Sequence, residues 1–331
     1  MLNYRIIEEL SIDQTYHDYL NLIILNYNQI ESPKTDPTVR LCRSLVVDFE
    51  YNIVAQGFRR FFNIGEVEDE FDWSNFTVQE KLDGSYIKVF FHDGWHICTR
   101  STFGQGKINW SGVTWSEVVR RHLNLDGLDK TITYIFELVG PLNRIIRAYE
   151  EGLYLIAGRQ NGYELSDRKL DDLSCQMGVN RPQTYQVSRE DLKDWMAKLE
   201  LADPTHEGVI LKDSQFNRYK FKSKTWYASA NIWANGNVAT PRSFVEFYIR
   251  GEDAELMAMF PQYAEIFTVY KNTLDSLVAL AKQAAHEYKE LGQKEFADKV
   301  VGTPYAPLAF AARKGKDMFD VNYLVKYLKG L

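Results

Sequence analysis

Along the first thirty residues the apolar positions recur at helical spacing. Tyr16, Tyr19, Leu20, Ile23 and Ile24 follow a capping Asp13, which predicts a helix over 13–30. Past Leu41 the pattern shortens to β-rich runs. SLVVDF (44–49) and NIVAQGF (52–58), separated by Glu50-Tyr51-Asn52, predict a hairpin. FTVQEKL (76–82), SYIKVFF (85–91) and WHICT (95–99) continue as strands, with turns at Asp83-Gly84 and Asp93-Gly94. Thr114-Trp115-Ser116-Glu117 has capping-box form ahead of Val118, Val119 and Leu123, so a helix opens there. TITYIFELV (131–139) and LYLIAG (153–158) read as strands, 189–200 as a helix, and 207–223 as two more strands. This alternation predicts a mixed, largely antiparallel α+β domain.

After about residue 240 the texture changes to helical spacing almost throughout. Tyr263, Ile266, Phe267, Tyr270, Leu274, Leu277 and Ala281 fall on one stripe; Pro261 suits a first helical turn, and Gly292 and Gly302 suit helix stops. The Asn/Gly/Pro-bearing stretch ANGNVATPRS (234–243) marks the boundary, giving domains of 1–238 and 239–331. A length of 331 residues agrees with two domains at roughly 150 residues each.

Composition narrows the class. Apolar residues make up 45% and charged residues 25%, ordinary for a folded chain, which excludes disordered, collagenous and disulfide-scaffold proteins. The formal net charge of −6 argues against attachment to nucleic acid or membrane by bulk positive charge, while leaving room for a local basic groove. Three scattered cysteines (Cys42, Cys98, Cys175) form no CxxC pair. The opening MLNYRIIEEL lacks signal-peptide form, and the greasiest run, LNLIILNY (20–27), falls short of the roughly 18 apolar residues a membrane span needs. The expectation is a reduced, cytoplasmic protein with no membrane partner, or one in the host cytoplasm if the chain is of phage origin.

The chemistry lies in an ordered set of charges on strands. Glu80-Lys81-Leu82-Asp83-Gly84-Ser85 sits between two strand runs; Phe136-Glu137-Leu138 places a carboxylate inside an apolar strand; His206-Glu207-Gly208-Val209-Ile210 places another at a strand head. Tyr219-Lys220-Phe221-Lys222 puts two lysines on one strand face. Sheltered strand positions are a costly home for unpaired charge, so such a set calls for a polyanion, a metal or mutual pairing.

In order and spacing this set resembles the covalent nucleotidyltransferases: ATP-dependent RNA and DNA ligases and mRNA capping enzymes, over residues 40–225. DNA ligases and capping enzymes usually carry an arginine two residues after the Gly; here Tyr86 stands there, and Ser85 after the Gly resembles the RNA-ligase branch. Those enzymes also continue into a β-rich OB-fold, where this chain turns helical. Arg40-Leu41-Cys42-Arg43-Ser44 and Arg60-Phe61-Phe62-Asn63 resemble the RCRG and KFFN segments of the phage-type RNA ligase 1 family, with Ser44 in place of Gly and Arg60 in place of Lys.

The resemblance implies a nucleotidyltransferase (ATP-grasp-like) domain of antiparallel sheets with flanking helices, then an all-α C-terminal domain that helps select RNA, tRNA among it. It implies a monomeric ATP-dependent RNA ligase that joins RNA 5′-phosphate and 3′-OH ends, as in repair of cleaved tRNA. Lys81 would be the AMP-accepting nucleophile, presented by the Asp83-Gly84 turn. Lys220, Lys222, Arg43 and Arg60 would offset triphosphate charge, and Glu80, Asp83, Gly84 and Arg100 would complete the nucleotide site. Glu137 would hold the ribose hydroxyls, and Glu207 a Mg²⁺ directly or through water, with Mn²⁺ as a substitute. The amine must be neutral to attack, against an ordinary lysine pKa of about 10.4. The rivals are a GTP-dependent capping guanylyltransferase, a DNA ligase, and a catalytically idle RNA-binding module.

Four further features carry two readings each. His92, His96 and Cys98 are a metal set or a pair facing across a hairpin. Phe103-Gly104-Gln105-Gly106-Lys107 is a phosphate-loop fragment or a plain loop. Arg159 faces the nucleotide or ends a strand at the surface. Arg313-Lys314-Gly315-Lys316 contacts RNA phosphate or solvates a helix end, in a tail that holds 11 basic and 12 acidic residues from position 244 on.

Overall fold

The computed structural model describes residues 2–28, 31–67, 70–108, 111–223, 226, 240–250, 263–314 and 321–329. The chain divides into two compact units, 1–223 and 224–331. The boundary expected at 238 lies outside the described residues.

The first unit begins with α1 (Tyr4–Glu9), β1 (Ile12–His17), β2 (Leu22–Tyr27), α2 (Pro37–Leu41), β3 (Arg43–Asp48) and β4 (Ile53–Ala55). There follow β5 (Phe62–Asn63), β6 (Phe76–Glu80), β7 (Ser85–Phe91), β8 (Trp95–Cys98), α3 (Trp115–His122), β9 (Ile132–Val139), β10 (Gly152–Gln160) and β11 (Tyr163–Glu164). It closes with α4 (Asp167–Met177), β12 (Thr184–Tyr185), α5 (Leu192–Ala202), β13 (Gly208–Asp213) and β14 (Arg218–Lys222). The strands form three sheets, ordered β1-β2-β3-β4, β11-β10-β9-β7-β8 and β12-β6-β13-β14-β5. All pairings are antiparallel except β14 with β5.

Among the described residues of 13–30 no α-helix forms; they make β1, a single 3₁₀ turn at Asp18–Leu20 and β2. Every residue of β2 is buried, and β2 lies between β1 and β3. A run that is apolar on both faces suits a central strand, and helical spacing within it carries no information. Tyr16 and Tyr19, which completed the apparent stripe, are 51% and 96% exposed. The hairpin expected after Leu41 is present as β3–β4, with Asp48 accepting from the backbone of Glu50 and Asn52 in its turn.

The helix after Thr114 is also present, and both capping-box bonds form between Thr114 and Glu117. Val118 and Val119 of α3 pack with Leu170 and Leu173 of α4 against Ile87, Tyr134, Phe136 and Leu155 of the second sheet. α5 buries Leu192 and Met196 against Val78, Val209 and Leu211 of the third sheet. Each side chain so buried contributes about 1.5–3 kcal/mol.

A second departure shapes the site. β6 and β7 are consecutive in sequence but belong to different sheets, so residues 81–84 cross between sheets instead of closing a hairpin. Gly84 is required there by close approach: a Cβ would lie 2.4 Å from the carbonyl oxygen of Leu138 and 2.8 Å from Cγ1 of Val139. Gly84→Ala is expected to destabilise the protein by about 2–4 kcal/mol, lowering the urea midpoint at unchanged slope. An unaltered midpoint would mean the crossing has slack the packing denies.

The second unit holds α6 (Pro241–Arg250), α7 (Ala264–Glu287), α8 (Gln293–Val300), α9 (Ala306–Arg313) and α10 (Val321–Leu328), with no strand among its described residues. Phe267, Leu274, Leu277 and Ala281 of α7 meet Phe244, Phe296, Leu308 and Leu324 in one core, whereas Ile266 is 38% exposed and off the stripe. Gly292 is not the stop of α7. It caps the start of α8, donating its N–H to Glu295 Oε2 at 3.1 Å. Gly302, at φ +89°, follows the end of α8 as expected. Pro261 lies outside the described residues, and no described helix is long and apolar enough to cross a membrane.

Candidate active site

Three neighbouring strands set the central row. β6 and β14 both pair with β13, so Lys81, just beyond β6, comes beside Gly208, and Gly208 stands opposite Lys222. Lys81 N–H donates to the Gly208 carbonyl at 2.9 Å. Glu207, one residue before β13, then reaches both lysines: Oε2 lies 2.5 Å from Lys81 Nζ and Oε1 lies 3.3 Å from Lys222 Nζ. Glu207 is 3% exposed, so burial alone would make its charge expensive, and the two ammonium groups offset that cost. Gly208, at φ +128°, makes the turn into β13, and a Cβ there would fall 2.2 Å from the Phe221 carbonyl oxygen.

Beside this row a cavity is walled by Arg43, Glu80, Lys81, Glu137 and Lys220 among polar groups and by Phe58, Phe61, Tyr86, Ile156 and Ile210 among apolar ones. Ile156 sits where the β9–β10 register shifts between Leu155 and Ala157; such a bulge redirects a side chain out of the strand alternation. Lys220 stands over the Phe61 ring at 5.0 Å. Burial lowers its amine to about 7, assisted by the nearby charges of Arg43, Lys81 and Lys222. Lys222 is lowered as well, by burial first, against the opposing pull of Glu207.

Glu137 faces Tyr86 across β7–β9. Burial raises its carboxyl to about 7, with Lys81 and Arg43 pulling downward and Glu207 and Asp83 pushing upward. The unfolded chain would ionise this group near 4.5. Between 4.5 and 7 the folded state keeps a proton that the unfolded state has released. This contribution to stability is therefore present below 4.5 and lost as pH rises through 7. Glu137→Gln removes that loss. The variant should exceed the parent in stability by about 1–3 kcal/mol at pH ~8 and by much less at pH ~5. Urea midpoints at the two pH values check this; an advantage equal at both would refute it.

The arginines form a second cluster. Arg43 lies 5.3 Å from the Tyr86 ring centroid and 5.4 Å from that of Phe61. Arg60, 7% exposed, and Arg100 lie 4.1 and 5.0 Å from the ring centroid of Tyr27. Burial lowers Arg100, with Arg43 and Arg60 adding repulsion. Arg43 Nη1, Arg60 Nη1 and Tyr86 Oη are buried with no hydrogen-bond partner among the described residues. Buried guanidinium donors without partners are costly, and they suit a phosphate-bearing ligand.

Asp83 does not supply a hairpin turn. Its Oδ2 accepts from Ile146 and Arg147 backbone N–H groups at 2.8 and 2.9 Å, fixing the segment after β9. Glu80 lines the cavity, but its Oε1 accepts from Arg147 Nη1 at 2.9 Å. Arg159 Nη2 donates to the Gly162 carbonyl at 2.6 Å, and the residue lines a different cleft. Tyr27, Ile156, Arg147 and Arg218 escaped the sequence reading because no local pattern marks them. Lys88 also escaped it: fully buried in the alternation of β7, it donates to the carbonyls of Ser44 and Ala55, tying the strand that bears Arg43 to the second sheet. Ser44 itself adopts φ +58°, the left-handed region in which glycine is favoured.

Among the described residues no group of three or more His, Cys, Asp or Glu could hold a metal, which disposes of the His92, His96 and Cys98 set. His96 Nε2 and the His92 carbonyl are 2.7 Å apart across their hairpin. Gly104 packs against Ile97 and Ser116, so Phe103–Lys107 is a packed loop. Arg313 donates to the Leu291 carbonyl and lies 4.4 Å from the Phe296 ring centroid, an internal role in its unit; Gly315 and Lys316 lie outside the described residues.

With this geometry in view, comparison with known proteins places the chain. A family described as RNA ligase matches residues 41–227, and the chain belongs to that family. A bifunctional polynucleotide kinase/RNA ligase of Autographa californica nuclear polyhedrosis virus is 28% identical over 91% of this chain and 46% of its own length. An RNA ligase of Thermovibrio ammonificans is 30% identical over 39% of this chain and 36% of its own. The chain thus spans less than half the length of these curated relatives. Among solved structures, an archaeal ATP-dependent RNA ligase superposes with a TM-score of 0.51 at 15% identity, covering 83% of this chain and 78% of the other. The α+β fold is shared with it.

Proposed function

We propose that the chain is an ATP-dependent RNA ligase that works through a covalent lysyl-AMP intermediate on Lys81. The observation that carries this reading is the Lys81 amine held by Glu207 beside Lys222, in the wall of a cavity that also presents Lys220, Glu137 and Arg43. The Lys81 nitrogen attacks the α-phosphorus of ATP, the bond to the bridging oxygen of the β-phosphate breaks, pyrophosphate leaves and the amine loses a proton. Lys220 and Lys222 flank the α-phosphate, and Arg43 offers its unpartnered donor to the triphosphate, so charge built up in the transition state meets fixed cations. Glu137 holds the ribose hydroxyls. An RNA 5′-phosphate oxygen then displaces Lys81 from AMP, and a 3′-OH displaces AMP to form the phosphodiester.

A divalent ion fits the donor set. Mg²⁺ is commonly bound through one or two carboxylates with water and substrate phosphates, and Glu207 is the carboxylate placed for it; Mn²⁺ fits the same donors. Such an ion would supply charge neutralisation for the polyphosphate and draw Glu207 away from Lys81, which must lose its proton to attack. The helical unit serves as the RNA-selecting module in this reading, tRNA included.

Sealing is tested by incubating the protein with single-stranded RNA bearing a 5′-phosphate and a 3′-OH, with ATP and Mg²⁺. Phosphatase-resistant circles or longer products are expected. Their absence, with covalent label on the protein from GTP and none from ATP, would move the chain to the capping branch. Sealing confined to nicked duplex DNA would make it a DNA ligase.

A further inference from the structure

A second cleft of about 450 Å³ opens in the first unit, lined by Arg40, Arg59, Arg60, Arg159, Arg218 and Tyr163. Its size is that of a small ligand pocket, enough for about one nucleotide. Among the described residues of its lining, five guanidinium groups stand with one carboxylate, that of Glu164. Glu164 is already engaged by Arg218 through both oxygens and lies 3.8 Å from Arg159. Arg59 is exposed and has neither an ion pair nor a hydrogen bond among the described residues. Arg60 is 7% exposed, and its Nη1 lacks a partner among the described residues. Arg159 Nε is likewise buried and unpartnered. Burial lowers Arg159, and the charges of Arg59 and Arg218 lower it further against the pull of Glu164. A protein gains nothing from concentrating like charges in this way unless a polyanion enters.

At the rim, at the start of β11, Tyr163 exposes 80% of its surface. A large aromatic left in solvent beside a cationic groove is the pairing that binds single strands: cations track the phosphates while the ring stacks on an unpaired base. The cleft is also continuous in its walls with the Lys81 cavity, because Phe61 and Arg218 line both.

We propose that this cleft holds the sugar-phosphate backbone of a single-stranded RNA end, with Tyr163 as the stacking surface for a base, and leads that strand to Lys81. The destination rests on the ligase reading of the Lys81 site; the RNA contact itself does not.

The test uses the full chain and a 5′-phosphorylated single-stranded oligoribonucleotide, with affinity read by fluorescence anisotropy at several salt concentrations. Arg59→Ala should weaken binding and flatten the dependence of log affinity on log salt by about one. Tyr163→Ala should weaken binding about tenfold or more, and Tyr163→Phe should retain it. Covalent labelling by ATP without RNA should be unchanged in all three variants. Parental affinity and salt slope in both alanine variants would overturn the proposal, as would RNA binding left intact while the ATP requirement for labelling rises, since the cleft would then serve the nucleotide. If the parent protein takes no label from ATP, the ligase reading fails, and the affinity changes still decide the cleft.

Discussion

Replacing Lys81 by alanine is expected to abolish covalent labelling by α-labelled ATP, a loss on the order of 10⁴-fold or more, as for removal of other catalytic nucleophiles. Lys81 is the lysine at the crossing between the second and third sheets, in the wall of the cavity that also presents Glu137 and Lys220. The variant should remain folded, because Lys81 is 22% exposed at its side chain and its backbone bond to Gly208 survives the change. Sealing of RNA that already carries AMP on its 5′ end should survive far better than sealing from ATP, because only the first two steps pass through the lysine. Label retained in the variant would place the nucleophile elsewhere.

The second large effect is expected at Glu207. Its two oxygens each hold one lysine, so a single carboxylate positions the nucleophile and a phosphate-binding cation together. Glu207→Gln keeps the shape and removes the charge. Lys81 and Lys222 then repel each other without a counter-charge, and the carboxylate proposed for the divalent ion is gone. Single-turnover adenylylation should fall roughly 10²–10⁴-fold, and the divalent concentration giving half-maximal rate should rise. A rate within tenfold of the parent at the same metal requirement would show that Glu207 only packs the strand head.

The chemistry of the site was legible in the sequence where a motif is local. Lys81, Glu207 and Lys222 fall near strand ends whose patterns mark them, and antiparallel pairing of β6, β13 and β14 brings them into a row. The path between the sheets was not legible. Asp83-Gly84 has the signature of a hairpin turn, but strand pairing is non-local, and β7 pairs with β9, Ser85 opposite Leu138, in place of β6. The first thirty residues misled for a different reason: β2 is apolar on both faces, so its spacing fits helix and strand alike. α4 offered a thin signal, since it buries only Leu170, Leu173 and Ser174, although Ser166 and Gly178 cap it in the expected manner. The meeting of Arg60 and Arg100 on the Tyr27 ring joins three segments that no spacing rule connects.

Net charge was a poor guide for the same reason. The chain totals −6, yet Arg43, Arg60 and Arg100 cluster around one site, and five arginines line the adjoining cleft. The sum over the chain says little about a local field, and catalysis and binding depend on the local field.

The central claim is a bond between Lys81 Nζ and the phosphorus of AMP. It is tested most directly by incubating the protein with ATP and Mg²⁺, omitting RNA, digesting it, and mapping adducts by mass spectrometry. The account predicts one added AMP on the peptide containing Glu80-Lys81-Leu82, released by acid and by pyrophosphate, and absent from Lys81→Ala. An AMP adduct on Lys220 or Lys222 instead, or no adduct on any lysine of a protein that still seals RNA, would contradict it.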